Sequence, residues 1–114
     1  MDAVLAFLDF TTASRRDADR AIVRFDGELD LANEGLARAE IEIALDRGGD
    51  ELVLDLRGVS FLDARGVRVL LDARSACQAR NRRLTVMPPP QPVQRVLHLC
   101  GLDGAFEQPV ALAG

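Results

Sequence analysis

Residues 52–71, LVLDLRGVSFLDARGVRVLL, change from an aliphatic run to a helical pattern within one stretch of chain. Residues 52–56 are nearly all aliphatic, which is typical of a central strand covered on both faces. Beyond Asp63, apolar residues recur at helical spacing as far as about Ala79, which predicts a helix with Asp63 as its N-cap. A buried strand that leads directly into an amphipathic helix indicates a parallel sheet of the α/β class.

Upstream of this stretch, the sequence predicts a β-hairpin. Residues 5–10 alternate weakly in polarity, and residues 11–20 are polar and suited to a turn. Residues 21–25 then read as a second strand, which Asp26 and Gly27 are expected to end. The two strands are expected to form a hairpin at the edge of the sheet.

A helix is predicted between this hairpin and the central strand. Asn33 is its expected N-cap, and Gly48 and Gly49 are expected to stop it. Ile43 lies off the apolar arc, so it is expected to be exposed, either incidentally or as a contact. The residues that form the apolar arc are Leu36, Ala37, Ile41, Ala44 and Leu45.

The downstream part of the chain predicts one more strand, one more helix and a last short strand. Residues 83–87 form the strand, and Pro92 stands where the first turn of a helix tolerates proline. Gly101 is expected to close that helix, and residues 102–106 can supply the last strand. The predicted order is therefore β-β-α-β-α-β-α-β, with right-handed crossovers that place helices against the sheet.

We therefore expect a single α/β domain with a mostly parallel sheet, an N-terminal hairpin edge strand and flanking helices. It is expected to span residues 5–107, with residues 108–114 as a loose tail, since 114 residues leave no room for a second domain. Charges interrupt every apolar run, so no membrane insertion is expected. The N-terminus lacks the basic lead of a secretion signal, which favours a cytoplasmic protein.

Composition excludes several classes of function. Every one of the 14 basic residues is arginine, and 18 acids bring the net charge to −4, so the sequence has no basic footprint for nucleic acid. His98 stands alone and favours a surface or capping role, while Cys77 and Cys100 are expected to be small buried hydrophobes. The glycines match no phosphate-binding spacing. We expect neither catalysis nor a cofactor.

Four acids, Glu28, Asp30, Asp55 and Asp63, fall in or near predicted strand ends, where α/β proteins place their ligands. Such a cluster offers oxygen ligands to a cation. Because the spacing matches no metal-binding pattern, we favour the alternative that these acids cap helices or are solvated in loops. The residues by themselves indicate a soluble α/β interaction module without a metal site.

Three segments resemble the STAS domain, the family of bacterial anti-sigma-factor antagonists: GELDLAN (27–33), residues 52–71 and PVQRVLHLCGLDGAF (92–106). The resemblance implies one layer of sheet flanked by helices and a partner-switching function. In that scheme the unphosphorylated antagonist binds an anti-sigma factor, which is also a kinase of the serine-kinase-type ATPase fold. Phosphorylation of a serine in the Asp-x-Ser-Gly turn abolishes binding. An anti-sigma factor of that kind is the expected partner.

The turn of this chain departs from the family pattern, because it reads Asp63-Ala64-Arg65-Gly66. Arg65 stands at the phosphoacceptor position and has no hydroxyl group, so a constitutively unphosphorylated turn is predicted. Ser60 is the alternative acceptor nearby. A cation in the first turn of a helix costs about 0.3–1 kcal/mol, which leaves two interpretations open. Arg65 either reflects drift or pairs with a carboxylate or phosphate of a partner.

The expected docking surface combines the start of this helix with the loop around Glu28. Val69 is interpreted as an exposed aliphatic residue at its rim, with a chance exposure as the alternative. An accessory subunit of a membrane lipid or anion transporter, or a small-ligand sensor, is the alternative function, and the oligomeric state stays open. The expected partner-binding residues are Glu28, Asp30, Asp63, Ala64, Arg65, Arg68, Val69 and Asp72.

Overall fold

The computed structural model describes residues 10–101. Within them the elements are β1 (Phe10–Asp17), β2 (Arg20–Leu29), α1 (Glu34–Asp46), β3 (Glu51–Leu62), α2 (Ala64–Ala79), β4 (Arg83–Met87) and α3 (Gln91–Leu99). The sheet has the order β1-β2-β3-β4, in which β1 and β2 are antiparallel and the other neighbours are parallel. The predicted α/β domain, with its mostly parallel sheet, hairpin edge and flanking helices, is confirmed.

The hairpin lies later in the chain than predicted. Strand β1 occupies most of the segment that was assigned to a turn, and the turn itself is only Ala18 and Asp19, between the paired residues Asp17 and Arg20. Ala18 adopts a positive φ of 55° there. An edge strand pairs on one side only and buries few side chains, so its sequence lacks the apolar alternation that marks inner strands. The predicted strand residues 5–9 lie outside the described residues.

Strand β2 is also longer than predicted, because it continues through Asp26 and Gly27 to Leu29. Its pairing with β3 shifts register between Arg24 and Asp26 and again after Gly27, which has a φ of 103°. Such bulges let a strand absorb extra residues without losing its neighbour. As a result β2 and β3 run on together beyond the last β3–β4 pair and carry the sheet to the start of α2.

The core lies between one face of the sheet and the helices. It includes Val69, which is 1% exposed, so the prediction of an exposed residue was wrong. Helix α2 packs against α1 as well as against the sheet, and its buried arc is therefore wide enough to include Val69. On α1, Ile43 is exposed as predicted, whereas Leu36 is 45% exposed although it was assigned to the core. The other four predicted core residues of α1 are buried: Ala37, Ile41, Ala44 and Leu45.

The two cysteines differ in their surroundings. Cys77 is buried as predicted, and burial raises the pKa of its thiol. Cys100 is exposed, contrary to prediction. Helix α3 ends at Leu99 and buries Val93 and Leu97, and Cys100 follows it as the C-cap residue. His98 lies on the exposed side of α3, as predicted. The predicted strand at residues 102–106 and the tail lie outside the described residues.

No helix within residues 10–101 is long and apolar enough to cross a bilayer.

Candidate functional site

Asp63 joins the end of β2 to the start of α2. Its Oδ1 accepts a hydrogen bond from the backbone N–H of Gly66 at 3.0 Å, which confirms the predicted N-cap. Its Oδ2 accepts from the N–H of Leu31 at 3.4 Å, and its own N–H donates to the carbonyl of Leu29 at 3.4 Å. One carboxylate therefore fastens the loop after β2 to the first turn of a helix that lies far away in sequence.

Gly66 allows the two segments to approach this closely. A Cβ atom at this position would lie 2.4 Å from the carbonyl oxygen of Leu29 and 2.4 Å from Cδ1 of Leu62. Both distances are far below van der Waals contact, and one of the two atoms belongs to the backbone. The turn therefore requires glycine, since any larger residue would push α2 away from the end of β2.

The loop that follows β2 is held by hydrogen bonds of its own. The Oδ1 of Asp30 accepts from the N–H of Ala32 at 3.0 Å and from the side-chain amide of Asn33 at 3.3 Å. That amide also donates to the carbonyl of Glu28 at 2.8 Å. Asn33 thus stands at the N-cap position, as predicted, but its side chain makes no capping bond and braces the loop instead. The Glu28 side chain is exposed at the end of β2, directly before this loop.

Arg65 is ion-paired within the chain. Its Nη1 lies 3.2 Å from Oε1 of Glu34, the first residue of α1. Glu34 was not among the predicted site residues. In a parallel sheet the helices that follow successive strands start at the same edge. The predicted topology therefore indicates that an acid in the first turn of α1 lies near the start of α2. The acid also offsets the cost of a cation at the start of α2.

The pair belongs to a longer series of charges, which we call the helix-bridging network: Arg65, Glu34, Arg38, Asp72 and Arg68. Glu34 contacts Arg38 at 3.5 Å, Arg38 contacts Asp72 at 2.7 Å, and Asp72 contacts Arg68 at 3.2 Å. The hydrogen bond to Asp72 raises the pKa of Arg38 above its ordinary value. The network brings together three predicted site residues, Arg65, Arg68 and Asp72, and adds two that the sequence analysis missed.

Two exposed apolar side chains, Leu31 and Phe61, lie close to Asp63, one through a hydrogen bond and the other two residues before it in the chain. Leu31 is 62% exposed, and its N–H is the one that Asp63 holds. Phe61 is 48% exposed and pairs with Glu28 across β2 and β3. Sequence reasoning missed both, although an apolar residue within a polar loop or at a strand end is a usable signal. Ala64 is exposed as the first residue of α2, whereas Val69 lies in the core beneath this surface.

Asp55 lies elsewhere, in the middle of β3, and does not join the other three acids. Its carboxylate contacts Arg57 at 3.0 Å and Arg24 at 3.5 Å. Burial by itself would raise the pKa of Asp55, but hydrogen bonds from Arg57 and the charges of both arginines hold it below its ordinary value. Within residues 10–101 no group of three or more histidine, cysteine or acidic side chains is arranged to hold a metal ion.

The sheet is mostly parallel with an antiparallel hairpin at its edge, and its third strand leads into a helix capped by Asp63. These features define a small α/β domain whose candidate site lies at the start of that helix. The sequence model of the STAS domain matches residues 11–112, and the chain belongs to this family.

Particular relatives are similar over most of the chain. The anti-sigma F factor antagonist of Paenibacillus polymyxa is 32% identical over 82 residues, which cover 71% of this chain and 70% of the relative. The crystal structure of an anti-sigma factor antagonist from Mycobacterium paratuberculosis has a TM-score of 0.78 at 25% identity, over 90% of this chain and 87% of that one.

The same fold occurs within a much larger membrane protein. The murine solute carrier 26 family member A9 anion transporter aligns with a TM-score of 0.74 at 18% identity. The alignment covers 92% of this chain and 21% of the transporter. At this identity the similarity concerns the fold alone.

Proposed function

We propose that the chain is an antagonist of an anti-sigma factor, which it binds through the surface around the start of α2. The observation that carries this proposal is the double attachment of Asp63, which orders the loop after β2 and the first turn of α2 as one unit. A surface that is ordered before binding loses less conformational entropy when a partner docks. The similarity to antagonists over most of the chain supports the same conclusion.

The proposed docking surface has charged and apolar parts. Arg65 and Arg68 supply exposed cations at the start of α2, and Glu28 supplies an exposed acid across the loop. Leu31 and Phe61 add exposed apolar area, which an interface gains by burying. Asp63 and Asp30 act as positioning residues, because their carboxylates hold the loop and the helix start. The predicted contacts kept in this proposal are Glu28, Asp30, Asp63, Ala64, Arg65, Arg68 and Asp72.

The proposal includes constitutive binding. Arg65 offers no hydroxyl group at the family's acceptor position, and neither does Ala64 beside it. A kinase-type anti-sigma factor would therefore bind this antagonist without being able to release it by phosphorylation at this turn. Ser60, exposed near the end of β3, is the nearest alternative acceptor. The proposal places the chain in the cytoplasm, together with the sigma factor that it would free.

The test combines binding with phosphate analysis. Each anti-sigma factor of the host is purified and titrated with the chain by calorimetry, with and without Mg-ATP, and the chain is then weighed by mass spectrometry. We expect one anti-sigma factor to bind equally well before and after ATP treatment, without added phosphate. Absence of binding to all of them, or specific binding to a transporter ATPase instead, would overturn the proposal. Phosphate found on Ser60 would overturn its constitutive part.

A further inference from the structure

The helix-bridging network forms an open ring of alternating charge. In spatial order it runs Arg65, Glu34, Arg38, Asp72 and Arg68, so each acid lies between two arginines. Both ends of the series are arginines, and the network carries a net charge of +1 in a chain whose net charge is −4. Alternation would be complete with one more acid placed between the two ends.

The two ends lie next to each other on α2. Residues three apart on a helix have Cβ atoms separated by about 5–6 Å, so Arg65 and Arg68 are neighbours on one face. Their side chains are 61% and 68% exposed. Arg65 reaches Glu34 through Nη1, and Arg68 reaches Asp72 through Nε. Since a guanidinium carries five N–H donors, both retain donors for a further acceptor.

We propose that an aspartate or glutamate side chain of the protein partner completes this ring by binding between Arg65 and Arg68. The inference rests on the proposed function, and it names the chemistry by which the partner is recognised. A carboxylate accepts hydrogen bonds from two guanidinium groups at once, and it relieves the repulsion between neighbouring cations. One negative charge brings the network, whose net charge is +1, to neutrality, whereas a phosphate dianion would leave an excess negative charge next to Glu34 and Asp72, which favours a carboxylate over a phosphate.

A first experiment tests the site without the partner. The isotope-labelled chain is titrated with a short peptide that contains two glutamates, and the Nε–Hε resonances of its arginines are followed by NMR. We expect shifts at Arg65 and Arg68 that a matched glutamine peptide does not produce. Arg80 is the internal control, because it already contacts two carboxylates, Glu42 and Asp46. Equal shifts at Arg80, or no shift at Arg65 and Arg68, would overturn the inference.

A second experiment uses the anti-sigma factor. The double variant Arg65→Gln and Arg68→Gln is expected to bind it about 10- to 100-fold more weakly, and Arg80→Gln to bind it like the wild type. Arg65→Gln also breaks the contact with Glu34, so its weaker binding could reflect lost stability. The single variant Arg68→Gln leaves that contact intact, and the Tm of each variant shows whether its stability has changed.

The outcomes distinguish the two proposals. If the wild type binds an anti-sigma factor and the double variant binds it equally well, the carboxylate site is wrong and the proposed function stands. If the glutamate peptide shifts Arg65 and Arg68 but no anti-sigma factor binds the wild type, the proposed function is wrong and the carboxylate site stands.

Discussion

The guanidinium of Arg65 lies 3.2 Å from the carboxylate of Glu34, and this contact connects the first turns of two neighbouring helices. Arg65 occupies the position at which the STAS resemblance places a phosphorylated serine. A cation at a helix N-terminus opposes the macrodipole of that helix. Here the cation contacts Glu34, whose negative charge is itself favourable at the N-terminus of α1. The contact thus makes the arginine compatible with the fold, and its exposed side chain remains accessible to a partner.

Restoring a serine at this position is expected to restore the family's switch. With Arg65→Ser, incubation with the kinase-type anti-sigma factor and Mg-ATP should add one phosphate, and the phosphorylated form should lose binding. The phosphate would bring about −1.5 to −2 charges close to Glu34, where the wild type has a cation. Mass spectrometry and calorimetry measure the two effects.

The control for this experiment is Arg65→Ala, which lacks both the charge and the hydroxyl group. It should remain unphosphorylated, and its free energy of unfolding should fall by no more than about 1 kcal/mol, because the Arg65 side chain of the lost ion pair is 61% exposed. An Arg65→Ser protein that is phosphorylated but binds undiminished would contradict the assignment of this turn to the docking surface.

A methyl group at Gly66 is expected to destabilise the fold. Gly66→Ala places a Cβ against the carbonyl of Leu29 and the side chain of Leu62, and overpacking of this kind costs about 1–3 kcal/mol. Gly35→Ala is the matched control, because Gly35 also lies in a first helical turn and a Cβ there meets nothing within 4 Å. It should be neutral or stabilising by up to about 1 kcal/mol. Equal free energies of unfolding for the two variants in urea would contradict the close approach of Gly66 to Leu29 and Leu62.

Removal of the Asp63 carboxylate is expected to loosen two segments at once. Asp63→Ala should cost about 1 kcal/mol through the lost N-cap, and the amide hydrogens of Gly66 and Leu31 should both exchange faster. Asp63→Asn keeps one side-chain oxygen as an acceptor and should retain most of the protection at Gly66. Faster exchange at Gly66 alone would show that the loop does not depend on this carboxylate.

The sequence allowed the inner part of the fold to be predicted, because buried strands and capped helices leave local patterns. Asp63 and the β3 strand are examples, since a cap and an aliphatic run are readable from neighbouring residues. Strand β1 was misplaced because an edge strand buries little, and Val69 was misjudged because its burial comes from α1. The contact between Arg65 and Glu34 joins residues far apart in sequence, and only the packing of the helices brings them together.

Acid is expected to destabilise the protein through Asp55. Its pKa is held below the ordinary value of 3.8 in the folded chain, so its ion pairs contribute stability above that pH. As pH falls from about 4 through the lower folded pKa, protonation removes this contribution, and the free energy of unfolding should decline. Asp55→Asn should make the decline shallower. Arg57→Gln, which removes the main hydrogen-bond donor, should also reduce the decline, because the folded pKa of Asp55 then rises back towards its ordinary value. Urea titrations between about pH 2 and pH 7 measure all three proteins, and profiles of the same shape for the wild type and Asp55→Asn would contradict this role of Asp55.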